Sequence, residues 1–130
     1  MASIRKEIVV SSSPEQVWDA MRDVGALHTR LVPGFVTDCR LDGDARVVTF
    51  ANGIVAREVI VDVSDEQRRI AWTAVGGRLT HHNASAQVFA EGQFSRVVWI
   101  ADLLPHEMAP AIAGMIEQGL AAMQQALEHA

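Results

Sequence analysis

The chain is short of several things at once. Among its 130 residues there is one cysteine, no tyrosine, and no apolar run approaching the ~20 residues that span a bilayer. A lone Cys39 excludes an intramolecular disulfide and a thiolate metal cluster. Basic residues are also in deficit: 11 Lys and Arg against 16 Asp and Glu leave a formal charge of −5. A groove that tracks phosphates would work against that field, so no nucleic-acid partner is expected. The opening residues, Met1-Ala-Ser-Ile-Arg-Lys-Glu, put charges where a signal peptide needs an apolar core, and a cytoplasmic location is expected. With only three Trp and four Phe, each tryptophan is worth locating.

What is present is the composition of one globular domain spanning residues 1–130, 49% hydrophobic and 21% charged. A chain this long buries roughly two-thirds of its unfolded surface and needs no disulfide or metal to fold. Residues 4–10 read as a strand with Ile4, Ile8 and Val10 on one face. Ser13, Pro14 and Gln16 then form a helix start: an N-cap, a proline at the first position and a capping-box partner. Val17, Trp18 and Met21 make the apolar stripe of a short helix, which Gly25 interrupts before a second short helix at 26–31.

Strand patterns follow at 35–41, 46–50, 54–63, 69–75, 79–90 and 94–104, separated by turn residues. Asn52-Gly53 reads as a tight hairpin turn with both central residues at φ > 0. Short turns force antiparallel neighbours, so the strands form a meander. Residues 106–129 read as one long helix, with Met108, Ile112, Met115, Ile116, Gly119, Leu120, Met123 and Leu127 at helical spacing. The sheet's apolar face must be covered, and the only long element available is that helix. A sheet curled around one helix leaves space between them.

This order resembles the START-like helix-grip superfamily. Ser-Ser-Pro-Glu-Gln-Val-Trp (12–18), Pro33-Gly34-Phe35, and Arg57-Glu58 followed by the hairpin 65–72 are similar to its motifs, and the nearest branch is that of polyketide cyclases, dehydrases and lipid transport. Residues 76–82, Gly-Gly-Arg-Leu-Thr-His-His, are similar to a loop that closes over ligand in plant abscisic-acid receptors. The resemblance implies an α+β helix-grip fold: a seven-stranded antiparallel curved sheet around a long C-terminal helix, with two short helices between strands 1 and 2. It also implies a cavity, on which many roles are built.

The candidate chemistry is sparse. There is no Gly-x-Ser-x-Gly elbow, phosphate loop, His-x-Glu or Cys-x-x-Cys pattern. Of the five histidines, His81 and His82 are adjacent on a strand and point to opposite faces, so no metal site and no cofactor are expected. The resemblance turns His82 inward, on the face of Ala84, Ala86 and Val88. Cys39 reads as a packing residue. Arg57 and Glu58 conflict: Val55, Val59, Val61 and Val63 share the face of Arg57 and would turn it inward, whereas the resemblance turns Glu58 inward. A bulge would serve both. The cavity assignment goes to Glu58, where burial among apolar walls would suit it to acid–base work. Trp72 and Trp99 point inward beside small residues, and Trp18 is structural.

The expected function is binding of a small hydrophobic or amphipathic molecule. Leu31, Phe35, Trp72, Trp99, Met108, Ile112 and Met115 would form the walls, with Glu58 and His82 as polar handles. The alternative is a cofactor-independent polyketide aromatase/cyclase or dehydratase in which Glu58 or His82 moves protons. A third reading is an interaction protein whose pocket is filled by its own side chains. Homo-oligomerisation is left open.

Overall fold

The computed structural model describes residues 2–128. The first strand, β1 (Ala2–Val10), leads into helix α1 (Pro14–Arg22) and a single π-helical turn (Leu27–Leu31). Six strands follow: β2 (Val36–Asp42), β3 (Ala45–Phe50), β4 (Val55–Ser64), β5 (Arg69–Val75), β6 (His81–Glu91) and β7 (Phe94–Leu104). A 3-10 turn (His106–Met108) then opens helix α2 (Ala109–Glu128). All strands belong to one antiparallel sheet in the order β1-β7-β6-β5-β4-β3-β2, the meander the short turns require. The helix expected over 106–129 therefore begins as 3-10, and His129 lies outside the described residues.

The capping box forms as read. Ser13 Oγ accepts from the Gln16 N–H at 3.2 Å, and Gln16 Oε1 accepts from the Ser13 N–H at 3.2 Å. Such a cap is worth about 1 kcal/mol. It aims α1 so that Trp18 Nε1 donates to Asp65 Oδ1 at 2.8 Å, and Arg22 Nε meets the same carboxylate at 3.0 Å. Trp18 thus ties α1 to the β4–β5 turn, a structural role.

The core lies between the concave face of the sheet and α2. Ile116, Leu120, Met123 and Leu127 are buried there against Val10, Val97, Ala101 and Leu103. Gly119 allows the close approach of helix to sheet. A Cβ on it would stand 2.9 Å from Trp99 Cζ3 and 3.2 Å from Phe35 Cε2. Ser12 Oγ donates to the Leu127 carbonyl and Gln124 Nε2 to the Val9 carbonyl, which fastens the C-terminal half of α2 to one end of the sheet.

Two sequence expectations need correction. The Asn52-Gly53 turn is a three-residue loop rather than a two-residue one. The Phe50 N–H donates to the Ile54 carbonyl at 2.8 Å, the Gly53 N–H to the Phe50 carbonyl at 2.9 Å, and Gly53 alone there takes positive φ, at 89°. Asn52 instead uses Oδ1 to accept from the Ile54 N–H at 3.0 Å. Valine periodicity also points the wrong way along β4. Val55 is 60% and Val61 58% exposed, while Glu58 is 9% exposed. A bulge does occur, but downstream: the register passes from Ile60↔Trp72 to Asp62↔Ala71, with Val61 as the extra residue. Ala56, Glu58 and Ile60 precede it on the inner face; after it the phase switches, and Val63 stands opposite Ile70. Arg57 stays outside, where Nη1 donates to Asp42 Oδ2 at 2.6 Å.

Candidate functional site

Between the sheet and the first turns of α2 lies a cavity of about 360 Å³. Its more exposed lining comes from the β3–β4 loop (Ile54), the β5–β6 loop (Gly76, Gly77, Arg78, Leu79) and the start of the C-terminal helical segment (Met108), which marks the mouth. The floor is formed by Trp72 and Trp99, whose rings meet edge-on with centroids 5.7 Å apart. Phe35 and Phe50 pack edge-on at 5.3 Å on another wall. Leu27, Leu31 and Val32, presented by the π-helical turn and the residue after it, close the side toward α1.

All nine residues singled out from the sequence border this one cavity: Leu31, Phe35, Glu58, Trp72, His82, Trp99, Met108, Ile112 and Met115. The cavity is open rather than filled by its own side chains. Sequence reasoning missed Arg46, the most consequential polar residue in it. Its signal was available, because Arg46 alternates with Val48 and Phe50 and so shares their inward face.

Arg46 is 3% exposed and Glu58 9% exposed, and they are Cα partners across the β3–β4 ladder. Arg46 Nε donates to Glu58 Oε1 at 2.8 Å, and its Nη1 donates to the Val24 carbonyl at 3.3 Å. The guanidinium carbon lies 5.5 Å from the centroid of the Trp72 ring, within cation–π range. Glu58 is therefore not the isolated carboxylate expected from the sequence. It is the acceptor half of a buried ion pair, held through Oε1 by Arg46 Nε. Cys39 Sγ reaches the same Val24 carbonyl at 3.6 Å, and burial pushes its thiol pKa up.

His82 sits where the sheet parts. The β5–β6 ladder runs from Arg69↔Gln87 to Trp72↔Ala84 and then stops. Beyond it, the Ala74 N–H donates to His82 Nδ1 at 2.9 Å, and Thr73 Oγ1 donates to the His82 carbonyl. The side chains supply bonds that the ladder no longer makes. Since Nδ1 accepts, the ring proton is on Nε2 and the imidazole is neutral. Burial, and secondarily the neighbouring His81, lower the His82 pKa, which agrees with a neutral ring. Among the described residues no group of three or more His, Cys, Asp or Glu converges as a metal site. No described helix is long and apolar enough to cross a membrane.

The sequence matches the family described as "Polyketide cyclase / dehydrase and lipid transport" over residues 1–128. The chain belongs to that family. No curated protein matches its sequence. Among solved structures it is similar to the protein XoxI from Bacillus cereus, with 25% identity, coverage of 98% of this chain and 96% of that one, and a TM-score of 0.84. It is also similar to a START superfamily protein from Mycobacterium smegmatis, at 14% identity, 98% and 97% coverage, and a TM-score of 0.78. A third likeness is to the di-domain ARO/CYC BexL from the BE-7585A biosynthetic pathway, at 13% identity and a TM-score of 0.84, covering 98% of this chain and 47% of that one. At these identities the last two likenesses establish the START-like helix-grip fold of this family member.

Proposed function

We propose that this family member binds a small hydrophobic or amphipathic molecule between the sheet and the C-terminal helix. The carrying observation is the cavity of about 360 Å³, walled by apolar side chains, whose ionisable lining among the described residues is Arg46, Glu58 and His82 on the strands and Arg78 on the β5–β6 loop. That is the form of a small-molecule site: apolar walls for affinity, a few convergent polar atoms for orientation. Leu31, Phe35, Trp72, Trp99, Met108, Ile112 and Met115 would contact the apolar body. Met108 and Met115 suit a wall that adapts to shape.

The cyclase or dehydratase alternative needs a free acid or base at the substrate. Each candidate has one atom already engaged: Glu58 Oε1 is bonded by Arg46, which balances its charge, and His82 Nδ1, the imidazole's basic nitrogen, is taken by the Ala74 N–H. Binding is therefore the better-supported reading.

The experiment is a titration with N-phenyl-1-naphthylamine, a neutral dye whose emission rises in apolar surroundings. Saturable 1:1 binding with parallel quenching of tryptophan is expected. Trp99→Ala should weaken it about tenfold or more, as loss of a large buried contact would. Trp18→Phe, at a residue that does not border the cavity, should leave it unchanged. Equal effects of both substitutions would mean that general loosening, and not a site, governs the dye.

A further inference from the structure

The polar groups of the cavity lie in one transverse row. Arg46 on β3 pairs with Glu58 on β4, and Glu58 pairs with Ala74 on β5. Continuing the β5–β6 register from Trp72↔Ala84 brings Ala74 opposite His82, whose Nδ1 takes the Ala74 N–H. The row thus reads Arg46, Glu58, Ala74, His82, with one small side chain between two polar ones. Glu58 and His82 therefore flank Ala74, whose side chain is only a methyl group.

What this row presents is defined by its bonds. Glu58 Oε1 is taken by Arg46 Nε, and among the described residues no donor meets Oε2. His82 Nδ1 is taken, so Nε2–H is the imidazole's remaining donor. The Arg46–Glu58 pair is internally neutral and the imidazole is uncharged. An added carboxylate over Ala74 would face the Glu58 carboxylate. An added ammonium would face the His82 N–H donor on one side, and on the other a Glu58 carboxylate whose charge Arg46 already balances. Either would bring an uncompensated charge into apolar walls, which is costly. A hydroxyl, which both donates and accepts, or a carbonyl, which accepts, fits without net charge.

Building on the binding reading above, we infer that the cavity selects uncharged ligands carrying a hydroxyl or carbonyl oxygen, seated over Ala74 between Glu58 and His82. Ala74 is the specificity-determining residue, because its small side chain makes the slot.

The test is displacement of N-phenyl-1-naphthylamine from the wild-type protein at pH 7.5 by a matched set: naphthalene, 2-naphthylmethanol, 2-acetylnaphthalene, 2-naphthoate and 2-naphthylmethylammonium. The alcohol and the ketone are expected to bind about tenfold tighter than naphthalene, the value of one to two net hydrogen bonds. Both charged members are expected to bind weaker than the alcohol by a similar factor or more. Ala74→Leu should erase the preference for the oxygenated members while still binding naphthalene. Naphthalene equal to the alcohol and ketone in wild type would overturn the inference and leave the pocket standing. So would 2-naphthoate as the tightest ligand, which would make Arg46 an anion site. Failure of the dye itself to bind would overturn the binding reading, and this inference with it.

Discussion

Removing one member of the Arg46–Glu58 pair is the perturbation whose size follows most directly from the structure. Both side chains are buried, and their contact is 2.8 Å. Breaking a buried pair from one side strands the other charge and typically costs about 3–5 kcal/mol. That is a large share of the roughly 5–15 kcal/mol that holds a domain folded. After Glu58→Leu, Arg46 would keep the Val24 carbonyl and the Trp72 face. Those remaining contacts place the expected loss toward the lower end, ~3 kcal/mol. Arg46→Met leaves an unpaired carboxylate with no other protein donor among the described residues, so its loss should be the larger. Glu58→Gln keeps an oxygen for Arg46 Nε and should cost less than Glu58→Leu. The double variant Arg46→Met/Glu58→Leu removes both charges into similar volume and should recover most of the loss, to within ~1–2 kcal/mol of wild type. Urea unfolding of the four proteins of this cycle, followed by far-ultraviolet circular dichroism, gives the numbers. Single losses under ~1 kcal/mol that simply add in the double variant would show a solvated pair and refute the account of the cavity's polar row.

Gly119→Ala should push its new methyl onto Trp99 Cζ3, 2.9 Å away, so the indole gives way into the cavity. Dye affinity should fall about tenfold, while stability changes by less than ~2 kcal/mol because helix propensity offsets part of the overpacking. Unchanged affinity would show that the indole has somewhere else to go. Acidification acts through His82, whose folded pKa lies below its ordinary value of 6.5 because of burial. Its contribution is fully present above 6.5 and is lost as pH falls from there through the folded value, since protonation also ends the Ala74 N–H···Nδ1 bond. Urea midpoints measured from pH 7.5 to 4.5 should therefore fall more steeply for wild type than for His82→Gln; equal slopes would contradict this. Cys39 is buried with a raised pKa, so it should react with Ellman's reagent slowly in the native protein at pH 7 and fast in urea. Rapid native labelling would place that strand at the surface.

The strands and helices were legible because each carries its own period and its own stop. The strands at 69–75 and 94–104 have the expected limits, since Gly76-Gly77 and Pro105 end them sharply. The face of β4 was not legible from alternation, because a bulge at Val61 changes phase inside an unbroken run of strand-forming residues. Four valines in step with Arg57 gave a false apolar face. What decides the matter is Arg46, twelve residues before Glu58, waiting across the ladder for its carboxylate. Pairing of that kind depends on register, which local pattern does not set. The parting of β5 from β6 is equally silent in the sequence: His81 to Ala90 alternates as a strand would, yet His82 spends its ring on the Ala74 N–H. The apolar walls were easier, because large indoles beside Ala74, Ala84, Ala86 and Ala101 already implied uneven filling.

The central claim is that this cavity, and not the surface, receives an apolar molecule. Four methionines border it, Met21, Met108, Met115 and Met123, together with Trp72 and Trp99 but not Trp18. Methyl and indole NMR spectra of protein labelled at methionine and tryptophan, recorded as 2-acetylnaphthalene is added, read all of these positions at once. The account predicts saturable shifts of those four methyl groups and of the Trp72 and Trp99 indole signals, with the Trp18 indole, bonded to Asp65, unmoved. Shifts that never saturate, or a ligand that moves Trp18 and leaves Trp72 and Trp99 in place, would contradict it.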